Sequence, residues 1–275
     1  GLDDRVLADW NGLMIASLVR AGLLLDRPDW TSLAVRAYRF VRDTMTRDGR
    51  LGHSWRGGSL VFPGFALDHA AMMRAALTLY EATGRAGYLH DARRWAGILA
   101  DEYRVPETGV LAMTAKDGEH LVARPQPTHD DVVPNANGAF AEGLVRLAVL
   151  TGDEGDRQGA EQELAALSGI ARASLVSHAS ILNALDQHLR GLTIIVTQDE
   201  DGALTKAALK VPYLDRTVCL AEDLTKLSEI HPAKAQAGQG AGPQALVCAG
   251  MRCSLPLTQP DDLTSQASEM AMRAS

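Results

Sequence analysis

Three stretches of this chain repeat one plan, an apolar helix, a short polar break and a second, more polar helix. No other feature narrows the possible folds as much. Apolar residues recurring at helical spacing predict helices over 11–25 and 29–45, over 66–83 and 86–103, and over 135–151 and 156–173. The breaks carry ordinary stop and start signals: Asp26-Arg27-Pro28-Asp29, then Gly84, then Gly152-Asp153. The first helix of each pair holds a similar middle, Leu18-Val19-Arg20-Ala21, Met72-Met73-Arg74-Ala75 and Leu144-Val145-Arg146-Leu147. Helical hairpins at a long, loose period point to a solenoid or a ring of hairpins.

Short β-like stretches separate the pairs. Residues 51–56 and 59–62 around Gly57-Gly58 read as a hairpin, and so do 109–114 and 120–124 through Lys116-Asp117-Gly118. A further helix is expected over 178–189. The texture then changes to strands at 192–197, 217–221, 245–248 and 254–257, helices at 200–210 and 260–272, and a glycine-rich loop over 237–243. The expected architecture is mainly α. Residues 1–190 form a partial (α/α)6 toroid of helical hairpins with short β-hairpins, and 191–275 form a small α/β subdomain.

In such a ring the inner helices run parallel, so their N-termini share one rim. Polar clusters fall at those starts. They are Asp3, Asp4, Asp9, Trp10 and Asn11, with Asp9 as the expected N-cap; Asp68-His69 after Pro63-Gly64-Phe65; His129-Asp130-Asp131 with Asn135 and Asn137; and His178 after Ser177. Free N–H groups at helix starts favour anions. Carboxylates can do acid/base work on a sugar, an imidazole can move a proton, and aromatic faces stack on sugar rings. Asp9, Asn135 and Ser177 are also ordinary caps, His178 can simply cap its helix, and His53 reads as decoration of a hairpin. Asp68-His69 is harder to set aside, because a carboxylate inside an apolar run needs a partner.

The net charge of −7 and the lack of a basic, aromatic-interleaved stripe argue against nucleic acid. No apolar run reaches the roughly 18 residues that would span a membrane. Cys219, Cys248 and Cys253 make no disulfide framework, and the four-residue gap in Cys248-Ala249-Gly250-Met251-Arg252-Cys253 suits neither a redox pair nor a zinc knuckle. They are expected as reduced cysteines around a turn, in a cytoplasmic protein. The glycine-rich loop lacks the strand-before, helix-after context of a dinucleotide fingerprint.

Asp3-Asp4-Arg5 with Trp10-Asn11-Gly12-Leu13-Met14-Ile15, then Pro63-Gly64-Phe65 with Asp68, residues 131–137, and Cys248 to Cys253 with Ser254-Leu255-Pro256 together form an ordered set of motifs. In these the chain resembles the C-terminal part of the thioredoxin-domain-containing family related to spermatogenesis-associated protein 20. The resemblance implies an (α/α)6 toroid like those of N-acylglucosamine 2-epimerases and unsaturated glucuronyl hydrolases, preceded in the family by a thioredoxin-like domain. This chain departs in starting inside the toroid, with about seven long helices rather than twelve and no redox cysteine pair near its start. Thiol chemistry is therefore not carried over. Asp9 and His69 stand where relatives carry a small polar residue and an aromatic.

The leading expectation is a sugar-processing or sugar-binding toroid. Asp68 and Asp131 would be the acid/base pair and His69 and His178 would assist proton transfer. Trp10, Asn11, Asp4, Asp130, Asn135 and Asn137 would bind substrate, with no cofactor and no metal. The alternative is a non-catalytic interaction scaffold that serves a redox domain elsewhere in a longer protein. An incomplete ring exposes apolar helix faces, so the scaffold reading expects self-association.

Overall fold

The computed structural model describes residues 3–118, 123–213, 215–222, 224, 229, 231–236 and 242–274. Its helical part is three hairpins and a half. Helix α1 (Ala8–Leu24) pairs with α2 (Pro28–Thr44), α3 (Ala66–Thr83) with α4 (Ala86–Ile98), and α5 (Ala136–Thr151) with α6 (Glu154–Ala171), while α7 (Ala179–Arg190) has no outer partner among the described residues. The inner helices α1, α3, α5 and α7 pack side by side in that order, and α2, α4 and α6 lie outside them. Among the described residues, no helix is long and apolar enough to cross a membrane.

Sequence explains the inner layer. Helix α3 is buried nearly all round, from Ala70 to Leu79 apart from Arg74, as an apolar helix with neighbours on every side must be. Gly12 lets α1 touch α3: a Cβ there would lie 2.6 Å from the Ala71 carbonyl carbon. The main core runs from Ile15 and Val19 through Met72, Met73 and Leu77 to Phe140 and Leu147. Tyr38, Tyr88 and Trp95 fill the gap between the first two hairpins in edge-on contact.

The inner-helix starts are tied into one rim. The Asp9 amide donates to Asp68, the Ala66 amide to the Met113 carbonyl, the Leu111 amide to Asn137, and the Asn135 side chain to Ser180. Helix α1 starts at Ala8, with Leu7 rather than Asp9 at the N-cap, two residues earlier than expected. Asp9 therefore sits in the first turn, where a carboxylate still faces the positive helix end, and accepts the Trp10 amide at 2.8 Å.

The Gly57-Gly58 hairpin forms as expected, from β4 (Ser54–Arg56) and β5 (Ser59–Val61), both glycines having positive φ. A short strand ahead of α1, β1 (Val6–Leu7), joins β4, and β2 (Thr46–Arg47) pairs with β3 (Arg50–Leu51). The second expected hairpin is not a hairpin over its described part. Residues 109–114 are irregular, with a single bridge from Leu111 to Arg104, and 120–122 lie outside the described residues. Most of the glycine-rich loop at 237–243 does too.

The C-terminal part is a four-stranded sheet in the order β7 (Arg216–Ala221), β6 (Leu192–Thr197), β8 (Gln244–Ala249) and β9 (Arg252–Cys253). Strand β6 runs parallel to β7 and antiparallel to β8. One face packs on α8 (Ala203–Lys210) and α9 (Pro260–Ala274) through Leu192, Ile194 and Val196, while Ile195, Cys219 and Leu246 join the core of the helices. Burial on both faces accounts for the unbroken apolar run of β6. Of the expected strand 254–257, Leu257 bridges Ala245 and the Ser254 amide donates to the Val247 carbonyl. The cysteines also differ from expectation. Cys248 and Cys253 are cross-strand neighbours joined by a disulfide, and Cys219 is free and buried.

Candidate functional site

The rim has two halves. At the α1–α3 half, Asp68 sits in the first turn of α3 with no exposed surface. Its oxygens accept the Phe65 amide at 2.7 Å and the Asp9 amide at 3.0 Å. They also face His53 Nδ1 at 3.1 and 3.2 Å. His53 reaches this place because β1 pairs with β4: the Ala8 amide donates to the His53 carbonyl, and the His53 amide to Val61. Its ring leans on Phe65, centroids 4.6 Å apart, and its side chain is 24% exposed. Nε2 has no partner among the described residues. The Asp68 hydrogen bond raises the His53 pKa, with burial opposing; burial raises that of Asp68, with His53 opposing.

Asp9 stands at the edge of this pair, so Asp9, His53 and Asp68 offer ligand atoms within 4.8 Å of one another. Three such groups could hold a metal. The Asp68 oxygens are already satisfied by two amides and an imidazole without one.

His69, expected to assist proton transfer, is walled in. Nε2 accepts the Leu51 amide at 3.1 Å, Nδ1 donates to the Phe65 carbonyl at 3.2 Å, and the ring packs 5.3 Å from Tyr103. Burial lowers its pKa to about 4, so it stays neutral and acts as a strut between β3 and α3.

The α5–α7 half is built around Asp130. Its carboxylate accepts the Asn135 amide and Nδ2, both at 2.8 Å, the Ser180 amide at 2.7 Å and the Ser180 hydroxyl at 2.6 Å. Burial alone would raise its pKa, but these donors outweigh it and hold the carboxyl below its usual range. Asn135 caps α5 through the Gly138 amide, and Asn137, fully buried, holds Leu111 and Pro127. His178, in a turn before α7, donates to the Ser174 carbonyl at 2.6 Å, faces the Thr128 hydroxyl at 3.4 Å and stacks beside His129.

The rim therefore brings together Asp68, Asp9 and His53, and separately Asp130, Asn135 and Ser180. It does not join Asp68 to Asp131, which is exposed on the loop before α5, its amide bonded to the Val133 carbonyl. Trp10 is 59% exposed on the first turn of α1. Asn11 donates to the Leu7 carbonyl at 2.8 Å, and Asp4 pairs with Arg56 at 2.5 Å. His53 was missed by sequence reasoning. It reads as decoration inside the expected strand 51–56, and nothing local says that this strand pairs with residues ahead of α1.

No protein-family model matches the chain. It is homologous to human spermatogenesis-associated protein 20, 28% identical over 95% of this chain. It spans about a third of that relative's length (36%). Its fold is similar to that of a GH76 alpha-mannanase of Bacteroides thetaiotaomicron, with a TM-score of 0.55, 17% identity, and coverage of 100% of this chain and 70% of that one. A cellobiose 2-epimerase from Bacillus thermoamylovorans aligns with a TM-score of 0.49 at 13% identity, over 59% of this chain and 44% of that one. The mainly α hairpin architecture is thus that of the (α/α)6 toroids.

Proposed function

We propose that the rim is a carbohydrate site in which His53 exchanges a proton with a bound sugar. The observation that carries this reading is the pairing of a sealed carboxylate, Asp68, with a partly exposed imidazole whose Nε2 is free. Asp68 orients the ring and stabilises its charged form; it acts through His53 as a positioning residue. Trp10 offers an apolar face for a sugar ring, and Asp9 and Asn11 offer acceptors and donors for hydroxyls. In this reading Asn135, Asn137, Asp130 and His178 hold the other half of the rim in shape.

The toroid fold shared with an alpha-mannanase makes mannose-containing oligosaccharides the first ligands to try, with β-linked glucose disaccharides beside them. A thermal-shift screen against such a panel, followed by product analysis, tests the proposal, because a ligand that binds the native state raises the midpoint. Binding weakened by Trp10→Ala, with turnover lost in His53→Gln, is the expected result. The same midpoint with every saccharide would sink the proposal.

A second reading is favoured by one observation. Helix α1 leaves Met14 (58% exposed), Leu24 (51%) and Leu25 (63%) in one flank with Trp10, an apolar stripe of the kind that marks contact surfaces. In this reading the chain is a scaffold that self-associates or carries a redox domain of a longer protein. Sedimentation of a Met14→Glu, Leu24→Glu double variant separates the readings: a scaffold loses its partner, and a sugar site keeps its ligand. We further propose a cytoplasmic location, where the Cys248–Cys253 disulfide of the structure would be open to reduction by glutathione. A free-thiol count on protein lysed under alkylating conditions checks this.

A further inference from the structure

At the end of the inner helices away from the rim, the sheet closes over the helical arc without filling it. Strand alternation turns Thr193 and Thr217 to the same side as Ile195 and Cys219, toward the helices. Ile195 and Cys219 join the core there, whereas the two threonines, paired in register, line a cavity. Helix α5 has stopped at Gly152 and α7 at Gly191, and both glycines line it too. The cavity holds about 230 Å³, more than the roughly 150 Å³ that takes a benzene ring. Helix α5 runs for 16 residues, which puts this place about 24 Å from the rim at 1.5 Å per residue.

The buried part of its lining carries no ionised group. Val145, Ala160 and Leu192 give apolar wall, and Gln187 (9% exposed), Thr217 (2%) and His231 (8%) give polar atoms. Gln187 Nε2 donates to the Thr217 hydroxyl at 3.3 Å, and its Oε1 has no hydrogen-bond partner among the described residues. His231 Nδ1 accepts the Ala233 amide at 3.2 Å, and burial lowers the pKa of the ring. The ring is therefore neutral with its proton on Nε2, which also has no partner among the described residues. Withdrawn polar atoms are normally satisfied, and leaving them unpaired is costly. Here an unused acceptor and an unused donor line one largely apolar space. Charged groups stand at its mouth, where Asp153 and Arg157 are exposed and Arg157 is held by Glu154 and Glu161. Asp215 and the C-terminal ends of α5 and α7 disfavour an anion there.

We propose that this cavity binds a small uncharged ligand, an apolar ring carrying an amide-like group whose N–H donates to Gln187 Oε1 and whose carbonyl accepts from His231 Nε2. Apolar walls with a few polar atoms that fix orientation are the usual make-up of a small-molecule site. The site does not rest on the rim reading, because the two lie at opposite ends of the inner helices.

The test is an NMR titration of the isotope-labelled full chain with benzamide, benzoate, benzylamine and toluene at millimolar concentration. Benzamide should move the Gln187 side-chain and Thr217 backbone amide signals and bind several-fold more tightly than the other three. Gln187→Leu should weaken it about tenfold, the scale of one hydrogen bond. His231→Leu removes the donor and leaves Gln187 and Thr217 bonded, so it carries the test where Gln187→Leu fails to fold. Ala148→Phe, which fills the cavity from the last turn of α5, should abolish binding with the thermal midpoint little changed. The proposal is overturned if benzamide does not bind wild type, if its binding survives Ala148→Phe undiminished, or if any of the other three binds as tightly. Saccharide binding at the rim should persist in Ala148→Phe, so a failure here and a failure of the rim reading are told apart.

Discussion

His53 Nδ1 lies 3.1 Å from Asp68 Oδ2, although the two residues sit on different elements and only one of them is open to solvent. The buried carboxylate fixes the ring, and the ring carries its charge to the surface of the rim. Such an arrangement sets both the tautomer and the basicity of an imidazole.

Replacing Asp68 by Asn removes the negative charge that holds the His53 pKa up. The His53 titration followed by NMR should then move to lower pH than in wild type. Two backbone amides lose a charged acceptor as well, so urea denaturation should show a loss of about 2–3 kcal/mol. An unchanged His53 titration would mean that the dyad is not formed in solution.

His69 predicts an acid limit to stability. Its pKa is about 4 in the folded protein against 6.5 for an ordinary histidine. Between those values the unfolded chain takes up a proton that the native state refuses. Its contribution is complete above pH 6.5 and falls away as the pH drops toward 4, by up to about 3 kcal/mol at 1.36 kcal/mol per pH unit. Stability curves of wild type and His69→Gln measured from pH 7 to 4 should converge in slope only above 6.5.

Glu81 holds the Arg146 guanidinium and the Val218 amide of β7 together. Glu81→Ala leaves a buried cation with only the Thr78 hydroxyl and a distant Glu142 carboxylate and should cost about 3–5 kcal/mol. Because the same carboxylate ties the sheet to the helices, hydrogen exchange should quicken first in β7.

Gly12→Ala tests the contact between the first two inner helices. The added methyl carbon meets Ala71 backbone at 2.6 Å, and backbone inside a packed helix pair does not move freely. A loss of about 1–3 kcal/mol in thermal or urea unfolding is expected. Gly87→Ala, whose added carbon meets nothing within 4 Å, should be neutral or slightly stabilising.

Sequence alone determined the helical hairpins, the Gly57-Gly58 turn and the strand at 192–197. Each of these follows from a local period or a turn signal that a few neighbouring residues carry. Tertiary structure decided which polar groups meet: His53 with Asp68 rather than Asp68 with Asp131, His69 as a strut, and Cys248 bonded to Cys253. Those outcomes hang on two-residue strands such as Val6–Leu7 and on contacts between separate helices. Pairings so short have no periodicity to read, and their energy comes from burial and hydrogen bonds that exist only once the chain has closed on itself.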